Sequence, residues 1–196
     1  MYSVFASQFL SVDGVILSIE PHIANMHSLL INIGLNNKRE CRYIPICIPL
    51  SFESSIDKFN YDSLVSGSSG SQFGHFQGED GNSFVPVLTE YKQSDTLDSL
   101  LSRLKLIGQH PIIIKIDVDG NEADILKGMH ETLSRGDIES LQVESDDSRV
   151  DNISKILIFY GYTPVSRHYS MSVKYSYENC QNSNGLFNVI YERSVA

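Results

Sequence analysis

The chain has 196 residues, of which 41% are hydrophobic and 20% are charged, and its formal net charge is −9. This length and composition predict a single globular domain spanning residues 1–196, with a full hydrophobic core. The negative charge argues against nucleic acid or an anionic membrane as a partner, because both are bound through basic patches.

The three cysteines, Cys41, Cys47 and Cys180, form neither a CxxC pair nor a cysteine–histidine spacing typical of metal sites. An odd number of cysteines without a signal-peptide pattern predicts a reducing, cytoplasmic location. No apolar run in the sequence approaches the length of a membrane span. We therefore expect neither a bound metal nor a membrane partner.

The first quarter of the chain predicts helix, strand, helix and strand in that order. Residues 2–9 have the pattern of a helix end, and residues 15–19 form a short apolar strand. Apolar residues then recur at helical spacing from Pro21 to Gly34, and residues 43–50 predict a second strand. Two prolines in that second strand make it an edge strand or an irregular one.

The middle of the chain is rich in glycine and serine. Residues 51–82 predict a long loop with one short strand at most, and residues 84–88 predict another strand. Ser94 and Asp95 are expected to cap the helix that follows, in which leucines recur at helical spacing.

The most informative segment is residues 110–136. A β-branched run, Ile112 to Ile116, leads directly into Asp117-Val118-Asp119-Gly120, and an amphipathic helix then extends to Gly136. A buried parallel strand that ends in carboxylates places charge at the sheet edge where ligands bind.

The last third predicts a strand at residues 138–143, a helix at 150–160, and two alternating strands at 171–177 and 187–191. Together the elements predict an α/β fold: a largely parallel sheet with helices on both faces and an antiparallel C-terminal hairpin.

Three predicted strands end in carboxylates, namely those of Glu20, Asp117 and Glu144. In one parallel sheet all three carboxyl ends lie at the same edge, so we expect these side chains to converge on one crevice. Lys115 interrupts its apolar strand, and we expect it to pair with Glu144 or a neighbouring acid because an unpaired buried charge is costly.

Several segments, taken in order, carry a family resemblance. They are the strand ending in Glu20-Pro21 with its helix and the GLNN at residues 34–37, the helix start TLDSL at 96–100, the motif KIDVDGNE at 115–122 followed by Leu126 and Gly128, and Gly161-Tyr162. This pattern resembles the FkbM family of S-adenosylmethionine-dependent methyltransferases over about residues 2–162. The resemblance implies a Rossmann-like class I methyltransferase sheet and S-adenosyl-L-methionine as the cofactor. It also implies a small-molecule acceptor, a hydroxyl of a sugar or a secondary metabolite.

Class I methyltransferases carry a first strand and a glycine-rich loop before the acidic strand, and this sequence has no such loop before Glu20. Residues 2–9 resemble the helix that follows that loop. We therefore expect a sheet that is truncated at its N-terminal end.

The resemblance assigns Glu20 to the ribose hydroxyls of the cofactor, a role that suits a carboxylate at a strand end. The alternative is an acid that stabilises the start of the helix at Pro21. Leu50 and Ser51 are assigned to the border of the adenine ring. Asp117 is assigned to the cofactor and to catalysis, where it orients the acceptor or takes its proton. Its alternative role is a turn acid bonded to backbone N–H groups.

Four more residues are predicted on the substrate side: Lys115, Glu122, Glu144 and His75. Among them His75 lies in the long loop, where an acceptor would approach. The other histidines, His22 included, are predicted to be surface or helix residues.

Two other functions are compatible with the sequence. The Asp-x-Asp-Gly of residues 117–120 is similar to that of haloacid-dehalogenase-type phosphatases, in which Asp117 would be the nucleophile and Asp119 the acid/base around Mg²⁺. Against this reading, Asn121 stands where that family has threonine. The second alternative is a non-catalytic remnant that serves as a binding module.

Overall fold

The computed structural model describes residues 2–36, 41–76, 83–108, 111–169 and 185–194. The chain divides into two compact units, one formed by Met1–Leu50 and Ser54–Asp95 and the other by Ser51–Glu53 and Thr96–Ala196. In the ranges just given, no helix is both long and apolar enough to cross a membrane.

The first unit contains a parallel strand pair and an antiparallel sheet. Its elements are α1 (Tyr2–Ala6), β1 (Val15–Ile19), α2 (Ile23–Asn36), β2 (Arg42–Ile46), β3 (Ile56–Tyr61), β4 (Gln72–Phe73) and β5 (Leu88–Gln93). Strands β1 and β2 are parallel, with Val15 opposite Arg42 and Ile19 opposite Ile46. The predicted strand at residues 15–19 and the helix after it are confirmed.

The prediction of a long loop over residues 51–82 is wrong where β3 and β4 form. Together with β5 these strands make an antiparallel sheet in the order β4–β3–β5. Only the last three residues of β3 are buried, so its first half lacks the apolar alternation that marks a strand in a sequence. The prediction also misplaced β5, which begins at Leu88, where the predicted strand was expected to end. This strand has no buried residue and therefore lacks the apolar alternation as well.

The second unit contains a four-stranded sheet in the order β6–β7–β9–β8. Its elements are α3 (Leu97–Arg103), β6 (Ile112–Ile116), α4 (Glu122–Lys127), α5 (His130–Arg135), β7 (Ile138–Ser145), α6 (Val150–Phe159), β8 (Tyr162–Tyr169) and β9 (Phe187–Arg193). Strands β6 and β7 are parallel, while β9 is antiparallel to both β7 and β8. The carboxyl ends of β6 and β7 therefore lie at one edge.

The mixed α/β class is confirmed, but the described residues form three sheets rather than one, and the two parallel pairs belong to different sheets. The strand predicted at residues 171–177 lies outside the described residues. The antiparallel partner of β9 is β8, which begins at Tyr162.

The helix predicted to run from residue 122 to 135 is divided into α4 and α5 at Gly128 and Met129. Its apolar stripe is confirmed, since Ile125, Met129 and Leu133 are all buried. The stop at Gly136 is also confirmed, with φ of 76°, a conformation that glycine adopts at little cost.

The cap of α3 differs from the prediction. Thr96 is the N-cap, and its side chain accepts a hydrogen bond from the Ser99 N–H at 3.1 Å. Ser94 and Asp95, the two residues before this cap, are buried, and Asp95 accepts from Ser54 Oγ at 2.6 Å. These two polar residues therefore stabilise the approach to the helix rather than its first turn.

Candidate functional site

The first candidate residue, Glu20, follows β1 directly and is half-buried. Its Oε1 accepts a hydrogen bond from the backbone N–H of His22 at 2.9 Å. The backbone N–H of Glu20 itself donates to the Ile46 carbonyl at 3.1 Å, which continues the ladder between β1 and β2. The pairing of β1 with β2 thus fixes the backbone of this residue, and the N–H of His22, the residue before α2, orients its carboxylate.

His22 was predicted to be a surface or helix residue, but it is only 2% exposed. Its Nε2 lies 2.7 Å from the Ser63 carbonyl oxygen, and its Nδ1 lies 3.4 Å from the Asn25 N–H. Because a carbonyl can only accept, His22 Nε2 is the donor in the bond to Ser63. The edge of the ring packs against Tyr61, with 4.9 Å between ring centroids.

The serine-rich loop (residues 63–70) is held against the start of α2. Asn25 accepts from the Gly67 N–H at 2.7 Å and donates to the Ser68 carbonyl at 3.1 Å. Ser28 and Ser66 share a hydroxyl hydrogen bond of 2.6 Å. His22, Asn25 and Ser28 are three residues apart and therefore face the loop from one side of the helix.

A titratable cluster lies on the β3–β5 sheet of the same unit. The hydroxyl of Tyr61 donates to Glu90 at 2.5 Å, and Lys92 pairs with Glu90 at 2.6 Å. Burial, and then the bond to Glu90, raises the pKa of Tyr61. Burial acts to raise the pKa of Glu90 as well, but hydrogen bonds from Lys92 and Tyr61 outweigh it and hold that pKa below its ordinary value. Burial raises the pKa of the Cys47 thiol at the end of β2.

The second candidate residue, Asp117, follows β6 and is exposed. Lys115 forms an ion pair with Asp117, so the cation inside the apolar strand is neutralised by a neighbouring acid. Glu144 lies near the end of β7, half-buried, and its backbone is opposite Asn188 of β9. Asp117 and Glu144 thus lie at the same sheet edge, as predicted, whereas a crevice shared with Glu20 stays a prediction.

Behind Asp117, a buried ion network joins the ends of β6 and β7. Arg149 Nη1 donates to both carboxylate oxygens of Glu122, at 3.1 and 3.0 Å, and Arg149 Nε donates to Asp146 at 2.8 Å. Glu122 is 1% exposed, and its Oε1 also accepts from the Gly120 N–H at 3.2 Å. Burial alone would raise the pKa of Asp146, but hydrogen bonds from Ser148 and Arg149 outweigh it and hold the pKa below its ordinary value.

The two residues predicted to border the adenine ring are consecutive in the chain, but Leu50 belongs to the first unit and Ser51 to the second. Leu50 is half-buried and forms a parallel bridge with Asp95. The backbone of Ser51 lies against Gly128, where an added Cβ would come within 2.1 Å of the Ser51 carbonyl oxygen. His75 follows β4, and its carbonyl accepts from Asn60 at 2.8 Å.

The Thr-Leu-Asp segment that begins α3 has a structural role. Asp98 accepts from the N–H groups of Glu131 and Thr132 at 2.8 and 2.9 Å, and from the Thr132 hydroxyl at 2.5 Å. A single carboxylate thereby caps α5 from another helix. Asp98 also lines a cavity of about 410 Å³, but none of the predicted site residues lines it.

Metal chemistry at Asp117 would require several ligands close together. Across the described ranges, no group of three or more His, Cys, Asp and Glu side chains is arranged to hold a metal ion. Two residues important for these junctions were not predicted: His22 and Arg149. Two features of the sequence could have indicated them. His22 lies two residues after a strand-end glutamate, and Arg149 lies three residues after Asp146.

Comparison with known proteins supplies one match. The family model described as Methyltransferase FkbM domain matches residues 4–164. The searches of curated proteins and of solved structures returned no match. The matched range contains both candidate junctions, from the α1 helix to the start of β8.

Proposed function

Since the chain belongs to the FkbM methyltransferase domain family, we propose that it is an S-adenosylmethionine-dependent methyltransferase acting on a hydroxyl of a sugar or secondary metabolite. The observation that carries this proposal is the hallmark segment Lys115–Glu122 at the carboxyl end of β6, within the matched range. That edge of a sheet is where ligands bind in α/β proteins.

Glu20 is proposed to hold the ribose. It is a half-buried carboxylate at a strand end, and the His22 N–H orients one of its oxygens. A vicinal diol offers two hydroxyl donors to such a group, so these residues fit a nucleoside. Leu50 and Ser51 follow the next strand of the same parallel pair and are proposed to border the adenine ring.

Asp117 is proposed to contact the cofactor and to act on the acceptor. When bound, S-adenosylmethionine supplies an electrophilic methyl group on a sulfonium. The acceptor oxygen would form the new carbon–oxygen bond as the methyl–sulfur bond breaks and S-adenosylhomocysteine leaves with the bonding electron pair. Asp117 is the carboxylate proposed to orient that hydroxyl and take its proton. Lys115 holds the Asp117 carboxylate in place. Glu144 and His75 remain substrate-side candidates, whereas Glu122 is buried and paired with Arg149, so a supporting role is proposed for it instead.

Titration calorimetry with S-adenosylmethionine tests the cofactor assignment. We expect the wild-type chain to bind and Glu20→Gln to bind roughly 10- to 100-fold more weakly, because a charged hydrogen-bond acceptor is lost. The matched control is Glu139→Gln, which removes an exposed carboxylate at the amino end of β7. Equal affinity in the Glu20 and Glu139 variants would contradict the assignment.

The acceptor class is tested by S-adenosylhomocysteine formation over a panel of sugars and hydroxylated metabolites. We expect turnover with at least one hydroxyl compound, and expect methylated and deoxy analogues at that position to be inert. Turnover only with amine or thiol acceptors would contradict the proposed O-methylation.

A further inference from the structure

The turn after β6, which contains Asp117, is bound by an arginine that the sequence motifs did not identify as a site residue. Arg149 begins the segment that leads into α6, yet its side chain reaches the β6–α4 turn and binds Glu122 with Nη1. Through Nε it binds Asp146, at the end of β7. One guanidinium therefore joins the turns that follow two neighbouring parallel strands.

Glu122, the partner of this arginine, is buried and is bound both to Arg149 and to the backbone of the turn. Glu122 is 1% exposed, and its carboxylate also accepts from the Gly120 N–H at 3.2 Å. Gly120 has φ of 109°, a conformation that favours glycine, and it lies beside the guanidinium, since an added Cβ would be in ordinary contact 3.8 Å from Arg149 Nη1. The segment from Asp117 to Gly120 is thus fixed at one end by β6 and at the other by this ion pair.

We propose that Arg149 is a positioning residue, which acts through Glu122 to hold the Asp117 turn in its ligand-binding geometry. This rests on the proposed function. Arginine suits the task because its planar fork binds two carboxylates at fixed angles, whereas a lysine ammonium would bind as a point charge. The ion pair with Lys115 orients the exposed Asp117 carboxylate, while Arg149 acts through Glu122 on the backbone turn that carries it.

A double-mutant cycle on affinity for S-adenosylmethionine tests this. We expect Asp117→Asn and Arg149→Met each to weaken binding roughly tenfold, and the double variant to bind no more weakly than either. Such non-additivity means that Arg149 acts through Asp117. Losses that multiply, or an Arg149→Met variant with wild-type affinity, would overturn the proposal.

A matched control exists in the same unit. Arg135 binds Asp137 at 2.9 Å and Thr132 at 2.9 Å, at the amino end of β7. Arg135→Met should lower stability like a partly buried ion-pair deletion but leave S-adenosylmethionine affinity unchanged. If it lowers affinity as much as Arg149→Met does, the effect is one of general stability and the proposal fails.

A second readout needs no ligand. The chemical shift and exchange rate of the Gly120 amide proton should change in Arg149→Met but not in Arg135→Met, because the Glu122 acceptor is released only in the former. If Arg149→Met does not fold, Arg149→Lys replaces it, with a smaller change in the same direction expected.

The two readouts separate the two proposals. If the wild-type chain binds no S-adenosylmethionine, the proposed function fails, and the Gly120 amide alone decides whether Arg149 holds the turn. An unchanged amide in the Arg149 variant overturns the inference even where the wild-type chain binds the ligand.

Discussion

The two strand-to-helix junctions, one in each unit, stabilise their candidate carboxylates by different means. The Glu20 junction uses hydrogen bonds from uncharged donors, from the His22 N–H to the Glu20 carboxylate and from His22 and Asn25 to loop carbonyls. The Asp117 junction uses the buried ion pair of Arg149 and Glu122. A hydrogen bond between neutral groups is worth about 1 kcal/mol and one to a charged group about 1.5–3 kcal/mol, whereas breaking a buried ion pair costs about 3–5 kcal/mol. The second junction should therefore be the more sensitive to substitution.

The largest expected effect is at the buried ion pair. Glu122→Ala leaves Arg149 without its main partner in a largely buried place and should lower the free energy of unfolding by about 3–5 kcal/mol. The double variant Glu122→Met/Arg149→Met should lose less, because apolar side chains of similar volume replace both charges. Urea unfolding measures both. A double variant less stable than the single one would show that the pair itself is strongly stabilising.

The next effect concerns the close approach at Gly128. Gly128→Ala would place a Cβ 2.1 Å from the Ser51 carbonyl oxygen and should cost about 1–3 kcal/mol, measured by thermal unfolding. Gly34→Ala is the matched control, since it has open space in α2 and should stabilise the chain by about 0.5–1 kcal/mol. Equal effects at the two positions would contradict the steric explanation.

A smaller effect is expected at the serine-rich loop. Asn25→Ala removes the hydrogen bonds to Gly67 and Ser68 and should cost about 1–2 kcal/mol, because these bonds are neutral and partly exposed. Limited proteolysis should then cleave the loop faster than in the wild-type chain. The control is Asn32→Ala, on the exposed side of the same helix. If the loop is cleaved equally fast in the Asn25→Ala and Asn32→Ala variants, the proposed role of Asn25 is wrong.

The smallest effect is the dependence of stability on pH at Asp146. Its pKa in the folded chain lies below its ordinary value, so the ionised carboxylate stabilises the fold above an unfolded-chain pKa of about 3.9. This contribution is lost as the pH falls through the folded-state pKa.

Urea unfolding between about pH 5 and about pH 3 tests the sign of that dependence. The stability of Asp146→Asn should fall less steeply over this range than that of the wild-type chain. Asp151→Asn, which removes an exposed carboxylate of the same segment, should change the slope less. A steeper fall in Asp146→Asn would reverse the assigned sign.

The sequence predicted the parts of the fold that depend on local pattern. The strand at residues 15–19, the buried stripe of Ile125, Met129 and Leu133, and the strand before Asp117 were all foreseen, because apolar spacing encodes which face is buried. It missed β3, whose charged first half pairs through backbone hydrogen bonds that do not depend on side-chain type.

The same distinction applies to the candidate site. Asp117 and Glu144 were expected at one edge because parallel strands align their carboxyl ends, and the pairing of β6 with β7 places them there. His22 and Arg149 were not foreseen, since the partner of His22 lies 41 residues along the chain and that of Arg149 lies 27 residues away.

The sequence by itself determined the family, the elements around each strand end, and the carboxylates that those ends present, because these follow from spacing along the chain. Only the tertiary structure decided how each strand end is held: by the bond from His22 and the contacts of His22 with the serine-rich loop at Glu20, and by Arg149 at the Asp117 turn. The physical reason is that burial and pairing depend on distances in space, and residues far apart in sequence supply both the low-dielectric surroundings and the opposite charge.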